Sequence, residues 1–190
     1  MYSVCNCERK RMMGHFYFVR HGESLWNVEN KICGATDIDL TEKGYLQAEQ
    51  AAENILKENL KIDMILASPL KRALHTAETI SEKTGIPLRT EPRLIEQNFG
   101  KWEGTARNGE DFRIAKTHFI ESWDSGESMF KTAHRVYSLL DEITSQEETV
   151  YLLAAHNGLA RIIQSYFHDM TNEEFASFGI GNCEIRRFDY

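Results

Sequence analysis

Three nearly continuous apolar runs divide the chain, His15 to Val19, Ile62 to Ala67 and Val150 to Ala155. A strand covered on both faces reads this way, because neither face has to alternate with water. Between the runs, apolar residues recur every three or four positions, which is the spacing of one helical face. Thr41 caps a predicted helix carrying Tyr45, Ala48, Ala52, Ile55, Leu56 and Leu60 on that face. Ser68-Pro69 reads as an N-cap followed by proline at the first helical position, opening a helix that presents Ala73, Ala77 and Ile80 and stops at Gly85-Ile86-Pro87. Ser128 opens a third, with Met129, Ala133, Val136, Tyr137, Leu140 and Ile143 in one stripe that core packing alone explains.

Buried strands alternating with amphipathic helices predict a three-layer α/β domain around a mostly parallel sheet. Cys183 to Phe188, soon after Gly179 and Gly181, predicts one more strand of either direction. Residues 100–126 are the least regular stretch and read equally as a substrate lid with a short helix or as a surface excursion. Residues 15–190 are expected to form one domain behind an N-terminal tail of residues 1–14, since no repeat or proline-rich linker interrupts them.

Composition narrows the partners. A chain of 190 residues, 42% apolar and 27% charged, suits one well-filled core. Its net charge of -7 argues against nucleic acid and against anionic membrane, because the far field repels polyanions. No run approaches the roughly 20 apolar residues that span a bilayer, and no apolar signal core precedes Phe16, so a cytoplasmic setting is expected. Cys5, Cys7, Cys33 and Cys183 make no disulfide framework in a chain of this size. Cys5-Asn6-Cys7 lacks a second close pair, so the preferred reading is a frayed or added terminus rather than half a zinc site.

The chemistry collects where strands end. The first run delivers Arg20 and His21, the second leads through Ser68-Pro69 to Arg72 in the first helical turn, and the third delivers His156-Asn157-Gly158. In a parallel sheet those positions share one edge, the edge where ligands bind. Two arginines and two histidines gathered there need an anion, and an arginine at a helix start opposes the helix dipole unless both hold a negative ligand. Phosphate fits best, taking bidentate guanidinium, backbone and imidazole donors together; sulfate or carboxylate fits less specifically. A neutral His21 is able to attack phosphorus in line through one ring nitrogen while the other donates to a backbone carbonyl. His156, Arg20 and Arg72 would then balance charge on the equatorial oxygens, with Ser24 as a further donor. Glu96, between a predicted strand at Pro92 to Ile95 and the loop Gln97 to Gly100, is the candidate acid for the leaving alkoxide, with a pKa raised by nearby phosphate. His15, His75, His118, His134 and His168 lack this context and read as structural or surface residues.

The ordered set Arg20-His21-Gly22-Glu23-Ser24, Asn27, Ser68-Pro69-Leu70-Lys71-Arg72-Ala73, Glu96 and His156 resembles the histidine phosphatase, or phosphoglycerate mutase-like, superfamily. Supporting segments look similar too, namely Leu40-Thr41-Glu42-Lys43-Gly44 with Gln47-Ala48, Thr76-Ala77-Glu78-Thr79 and Phe99-Gly100-Lys101-Trp102-Glu103-Gly104. The resemblance implies an α/β/α sandwich whose mixed sheet includes one antiparallel strand, a role that Cys183 to Phe188 would fill. It implies His21 as phosphorylated nucleophile, and Arg20, Arg72 and His156 as the phosphate pocket. Asn27 would be a further contact, and Glu96 the proton donor and later base. No catalytic metal or cofactor is implied.

Two departures matter. Asn157 stands where glycine often follows the second histidine, which predicts a local hydrogen-bond difference and places Asn157 at the pocket. The stretch after Glu96 is shorter than in phosphoglycerate mutases that use a bisphosphate. It carries Glu110, Asp111, Glu121, Asp124 and Glu127 beside Arg107, Arg113 and Lys116, which favours releasing phosphate to water. The leading expectation is therefore a metal-independent phosphomonoesterase acting on a small phosphorylated metabolite. The alternatives are a phosphoglycerate mutase and, in another class, a phosphate-sensing or protein-binding module without turnover. Trp26, Phe99, Trp102, Phe112 and Trp123 offer apolar walls for the substrate or ordinary core packing; a homodimer is compatible with the sequence.

Overall fold

Three apolar runs become the three central parallel strands of a five-stranded sheet in a computed structural model, which describes residues 14–146 and 148–190. The strands are β1 (His15–Arg20), β2 (Met64–Ala67), β3 (Leu88–Thr90), β4 (Tyr151–Ala155) and β5 (Ile185–Asp189), ordered β3-β2-β4-β1-β5. All neighbouring pairs are parallel except β5, which runs antiparallel along the β1 edge. The tail bearing Cys5 and Cys7 lies outside the described residues.

Alternate residues of each strand feed opposite faces, which makes the three layers. Tyr17, Val19, Ile65, Ala67, Leu152 and Ala154 pack against α2 (Glu42–Lys57) and α3 (Lys71–Thr84), while Phe16, Phe18, Leu66 and Leu153 pack against α5 (Met129–Thr144) and α6 (Asn157–Phe167). Each fully buried Leu, Ile or Phe contributes about 1.5–3 kcal/mol by leaving water. Shorter helices complete the chain: α1 (Leu25–Val28), α4 (Glu110–Ala115) and α7 (Asn172–Ser177).

Several local expectations change. In α2 the buried face is Ala48, Ala51, Ala52 and Ile55, whereas Tyr45 and Leu56 are exposed and Leu60 falls beyond the helix. Small side chains dominate because α2 lies close against α3 and the loop after β1. A Cβ on Gly22 would overlap the Gly44 carbonyl, so both glycines are required by space. Ser68 is not the cap of α3; Leu70 holds that position, because the hydroxyl of Ser68 is committed to His156. The stretch from Pro92 is a 3-10 turn (Pro92–Leu94) rather than a strand, since proline fixes a turn-compatible φ and the strand has ended at Thr90. Gly85 closes α3 in the left-handed region, as a terminating glycine does.

Candidate active site

The ladder of the sheet runs on just past the strands and sets the site. His21 N–H donates to Ala155 O at 2.9 Å and Ser68 N–H to Ala154 O at 3.0 Å, so the residues following β1, β2 and β4 are held on one edge. Arg20, His21, Arg72 and His156 come together there with Ser68, and the rings of His21 and His156 lie 5.2 Å apart, centre to centre.

His21 is almost wholly buried, and its Nδ1 donates to Gly22 O at 2.7 Å, which leaves Nε2 with the lone pair. Burial first, then the Arg72 and Arg20 guanidinium groups, hold its pKa well below the usual imidazole value; the Gly22 carbonyl opposes them. His156 is shifted the same way by burial, Arg72 and His21. Two neutral imidazoles therefore face two cations. Ser68 Oγ, which accepts from Leu70 N–H at 3.3 Å, stands 2.9 Å from His156 Nε2. Donation by that hydroxyl to Nε2 puts the ring proton on Nδ1, a buried atom with no partner among the described residues.

The arginines are anchored by carbonyls rather than carboxylates. Fully buried Arg72 donates through its two terminal nitrogens to Thr36 O at 2.9 Å and Gly34 O at 2.6 Å, and Arg20 donates to Ile180 O at 2.9 Å. The Nε of each is buried without an acceptor among the described residues. The loop that receives Arg72 is itself fixed by Glu103, whose carboxylate accepts from the N–H groups of Gly34, Ala35, Thr36 and Phe99 at 2.9–3.2 Å. One turn along α3 from Arg72, Thr76 Oγ1 accepts from Gly22 N–H at 3.0 Å and ties the loop after β1 to the same helix.

The remaining expected residues sit around this centre. Glu96 is buried, and its two oxygens accept from Gln97 N–H and Gly158 N–H, both at 2.9 Å, so it is fixed at the start of α6. Ser24 is fully buried, and its N–H donates to Asn27 Oδ1 at 3.1 Å, leaving the Asn27 amide nitrogen as a donor. Asn157 Oδ1 accepts from Ile180 N–H at 2.9 Å. Ile180 is thus clamped on both sides, by Asn157 and by Arg20. Asn182 Nδ2 donates to His21 O at 2.8 Å, and Cys183 N–H to Arg20 O at 2.9 Å.

A cavity of about 490 Å³ opens from Arg20, His21, Asn27, Glu96 and Asn157. Residues 100–126 form one wall of it, through Arg107, Phe112, Arg113, Lys116, Phe119 and Trp123. Phe99 stacks in the same wall, its ring 5.5 Å from Phe112 and 6.1 Å from Trp123. Trp26 and Trp102, also considered as walls, are not among the lining residues. Sequence reasoning missed Ser68 as the partner of His156, Thr76, Glu103, Asn182 and the cavity residue Arg161. Of these, Thr76 and Glu103 stood inside recognised segments, whereas Arg161 and Asn182 carry no local signal. Cys33 also lines the cavity, but burial pushes its thiol up to about 11, and Cys183, also half-buried, up to about 12, so neither supplies a thiolate at neutral pH. Among the described residues, no group of three or more His, Cys, Asp and Glu gathers in a metal-holding arrangement, and no helix is long and apolar enough to cross a membrane.

Comparison with known proteins shows the family of the chain. The chain is 34% identical over 182 residues to "Probable phosphoglycerate mutase GpmB" of Erwinia tasmaniensis, covering 92% of this chain and 84% of that protein. It is 33% identical over 175 residues to phosphoserine phosphatase 1 of Hydrogenobacter thermophilus, covering 87% and 81%. Among solved structures it is similar to a mycobacterial glucosyl-3-phosphoglycerate phosphatase, with a TM-score of 0.80 and 27% identity over 93% of this chain and 90% of the other. The family description "Histidine phosphatase superfamily (branch 1)" matches residues 16–190, a range that holds all of the sheet but His15 and every residue of the cluster. A sheet edge carrying Arg20-His21-Gly22, Arg72, Glu96 and His156, with relatives of this kind, makes the chain a histidine-phosphatase-type enzyme, a member of that superfamily.

Proposed function

We propose that the chain hydrolyses a small phosphorylated metabolite through a phosphohistidine formed on His21, with no catalytic metal. The observation that carries the reading is a set of three buried nitrogens with no hydrogen-bond partner among the described residues, Arg20 Nε, Arg72 Nε and His156 Nδ1, beside an imidazole whose other nitrogen is already spoken for; with the Ser68 hydroxyl donating to His156 Nε2, all three are donors. Buried donors are almost always paired, so three together describe the outline of an oxyanion.

In the first step His21 Nε2 attacks phosphorus, the ester P–O bond breaks, and Glu96 in its acid form gives its proton to the departing alkoxide. Arg20, Arg72 and His156 meet the charge that spreads over the equatorial oxygens, with Ser24 and Asn27 as further donors. In the second step Glu96, now a carboxylate, takes a proton from water as that water attacks phosphorus and the P–N bond breaks. The Gly22 carbonyl holds the Nδ1 proton throughout, which keeps Nε2 directed at phosphorus.

A phosphoglycerate mutase is the second reading, and one observation favours it. The basic residues after Glu96 line the cavity, while Glu127 is paired with Arg135 at 2.8 Å and Glu121 with His118 at 3.0 Å. The acidic residues of that stretch are thus partly neutralised by partners while its basic residues face the cavity, which weakens the preference for release to water that its sequence suggested. Assay of phosphate release across a panel of phosphorylated metabolites, with and without a bisphosphate, tests them. Hydrolysis without stimulation supports the phosphatase; interconversion of 2- and 3-phosphoglycerate with little hydrolysis overturns it, and tight phosphate binding with no turnover moves the chain to a binding role.

A further inference from the structure

Arg20 and Arg72 face the same oxyanion in the reading above, but they are held differently. Arg72 has two carbonyls, on a loop that Glu103 fixes. The Arg20 guanidinium has one hydrogen-bond partner among the described residues, the Ile180 carbonyl at 2.9 Å. An arginine stem carries much rotamer freedom, so whatever fixes its head beforehand decides how much of a phosphate contact survives as affinity. For Arg20 that is the placing of the Ile180 peptide.

Ile180 is buried in the segment between α7 and β5, which has no helix or strand ladder of its own to set its path. Asn157, the first residue of α6, holds the other side of it: Ile180 N–H donates to Asn157 Oδ1 at 2.9 Å. A backbone N–H only donates, so the amide oxygen is the atom that faces Ile180. Gly179 lets the segment close on this amide, since a Cβ there would lie 3.3 Å from both Oδ1 and Nδ2. Beyond Ile180, Asn182 Nδ2 donates to His21 O at 2.8 Å and Cys183 N–H to Arg20 O at 2.9 Å, which pins the far end to the loop after β1. Hydrogen bonds therefore run unbroken from α6 through Asn157 and the Ile180 peptide to the head of Arg20. Because Asn157 directly follows His156, the chain joins the side of the pocket bearing the second imidazole to the side bearing Arg20. The glycine that often follows the second histidine would supply no such acceptor, and buried peptide donors are rarely left unpaired.

We propose that Asn157 is a positioning residue for Arg20, acting through the Ile180 peptide and not through a contact of its own with substrate. This rests on the reading of Arg20 as a phosphate ligand.

Calorimetry with inorganic phosphate on the wild type, Asn157→Ala, Arg20→Met and the double variant tests it. Asn157→Ala should weaken phosphate binding about tenfold, the scale of one charge-assisted hydrogen bond. In the Arg20→Met background the same change should cost less than about twofold, because nothing is left to position. Where binding to Arg20→Met falls below the calorimetric range, kcat/KM for an aryl phosphate supplies the same cycle. Nitrogen-15 spectra of the phosphate complex add a local readout. The Arg20 Nε–H signal, assigned by its loss in Arg20→Met, should broaden in Asn157→Ala while that of Arg72 is unaltered. If the alanine variant does not fold, Asn157→Gly carries the same expectations. Losses that multiply in the double variant, phosphate affinity unaltered by Asn157→Ala, or both arginine signals broadening alike would overturn the inference. A coupled cycle in phosphate binding with no turnover of an aryl phosphate by the wild type would instead sink the phosphatase reading and leave the positioning role standing.

Discussion

His21 and His156 are kept neutral by their surroundings, and this has a measurable sign. In the folded chain, burial and Arg72 hold both pKa values well below that of a free imidazole, about 6.5. Below that pH the unfolded chain takes up protons at these two positions that the folded chain refuses, so stability contributed by the neutral rings is complete above about pH 6.5 and declines as the pH falls beneath it. The carboxylates with lowered pKa, Glu23, Asp39 and Glu91, act in the same direction only further down, through the carboxylate range. Urea unfolding between pH 7.5 and 5.5 isolates the imidazole contribution. The midpoint should fall over that interval, and His21→Asn should reduce the fall; an unchanged or rising midpoint would contradict the neutral assignment. Arg20 and His21 were legible in the sequence because an apolar run ended on them. A ring nitrogen tied to a backbone carbonyl was also expected, but that it is Nδ1 on Gly22 O was not legible, since it depends on the path of the loop and on burial supplied by other elements.

At the scale of elements, the site is an edge to which three strands bring their following residues, and a loop that fixes an arginine. Glu103 connects these levels: four backbone N–H groups converge on its carboxylate, three of them from the loop whose carbonyls hold Arg72. Glu103→Gln replaces one acceptor oxygen by a donor facing N–H groups, at a cost of about 1–3 kcal/mol in stability. It should also loosen Arg72, weakening inhibition by inorganic phosphate about tenfold and raising KM more than it lowers kcat. Loss of stability with phosphate affinity unchanged would make Glu103 a purely structural residue. The buried strands and the long helices were readable because continuous and three-to-four spacings are properties of the segment itself. Ser68 was misread as a helix cap for the same reason: local preference favours a cap, and only the approach of β4 brings His156 to its hydroxyl. The 3-10 turn at Pro92 was read as a strand because its apolar residues reach the core without the hydrogen-bond ladder that a strand requires.

The molecule as a whole is acidic, with a net charge of -7, yet its cavity gathers Arg20, Arg107, Arg113, Lys116 and Arg161 around one carboxylate. The outer field therefore does not draw anions in; affinity for a phosphorylated ligand has to come from these placed charges. Residues 100–126 were the hardest to read, having weak periodicity, and they turn out to supply an aromatic and basic wall whose members meet only in three dimensions. Covalent transfer to His21 is exposed best by Glu96→Gln. With an aryl phosphate the good leaving group needs little protonation, so the first step proceeds, whereas the second loses its base. After an alkaline quench, peptide mass spectrometry of that variant should find one phosphoryl group on His21, formed with a burst of phenol and decaying slowly. Continued hydrolysis with no phosphoryl group on His21, or its appearance on His156 instead, would contradict the account.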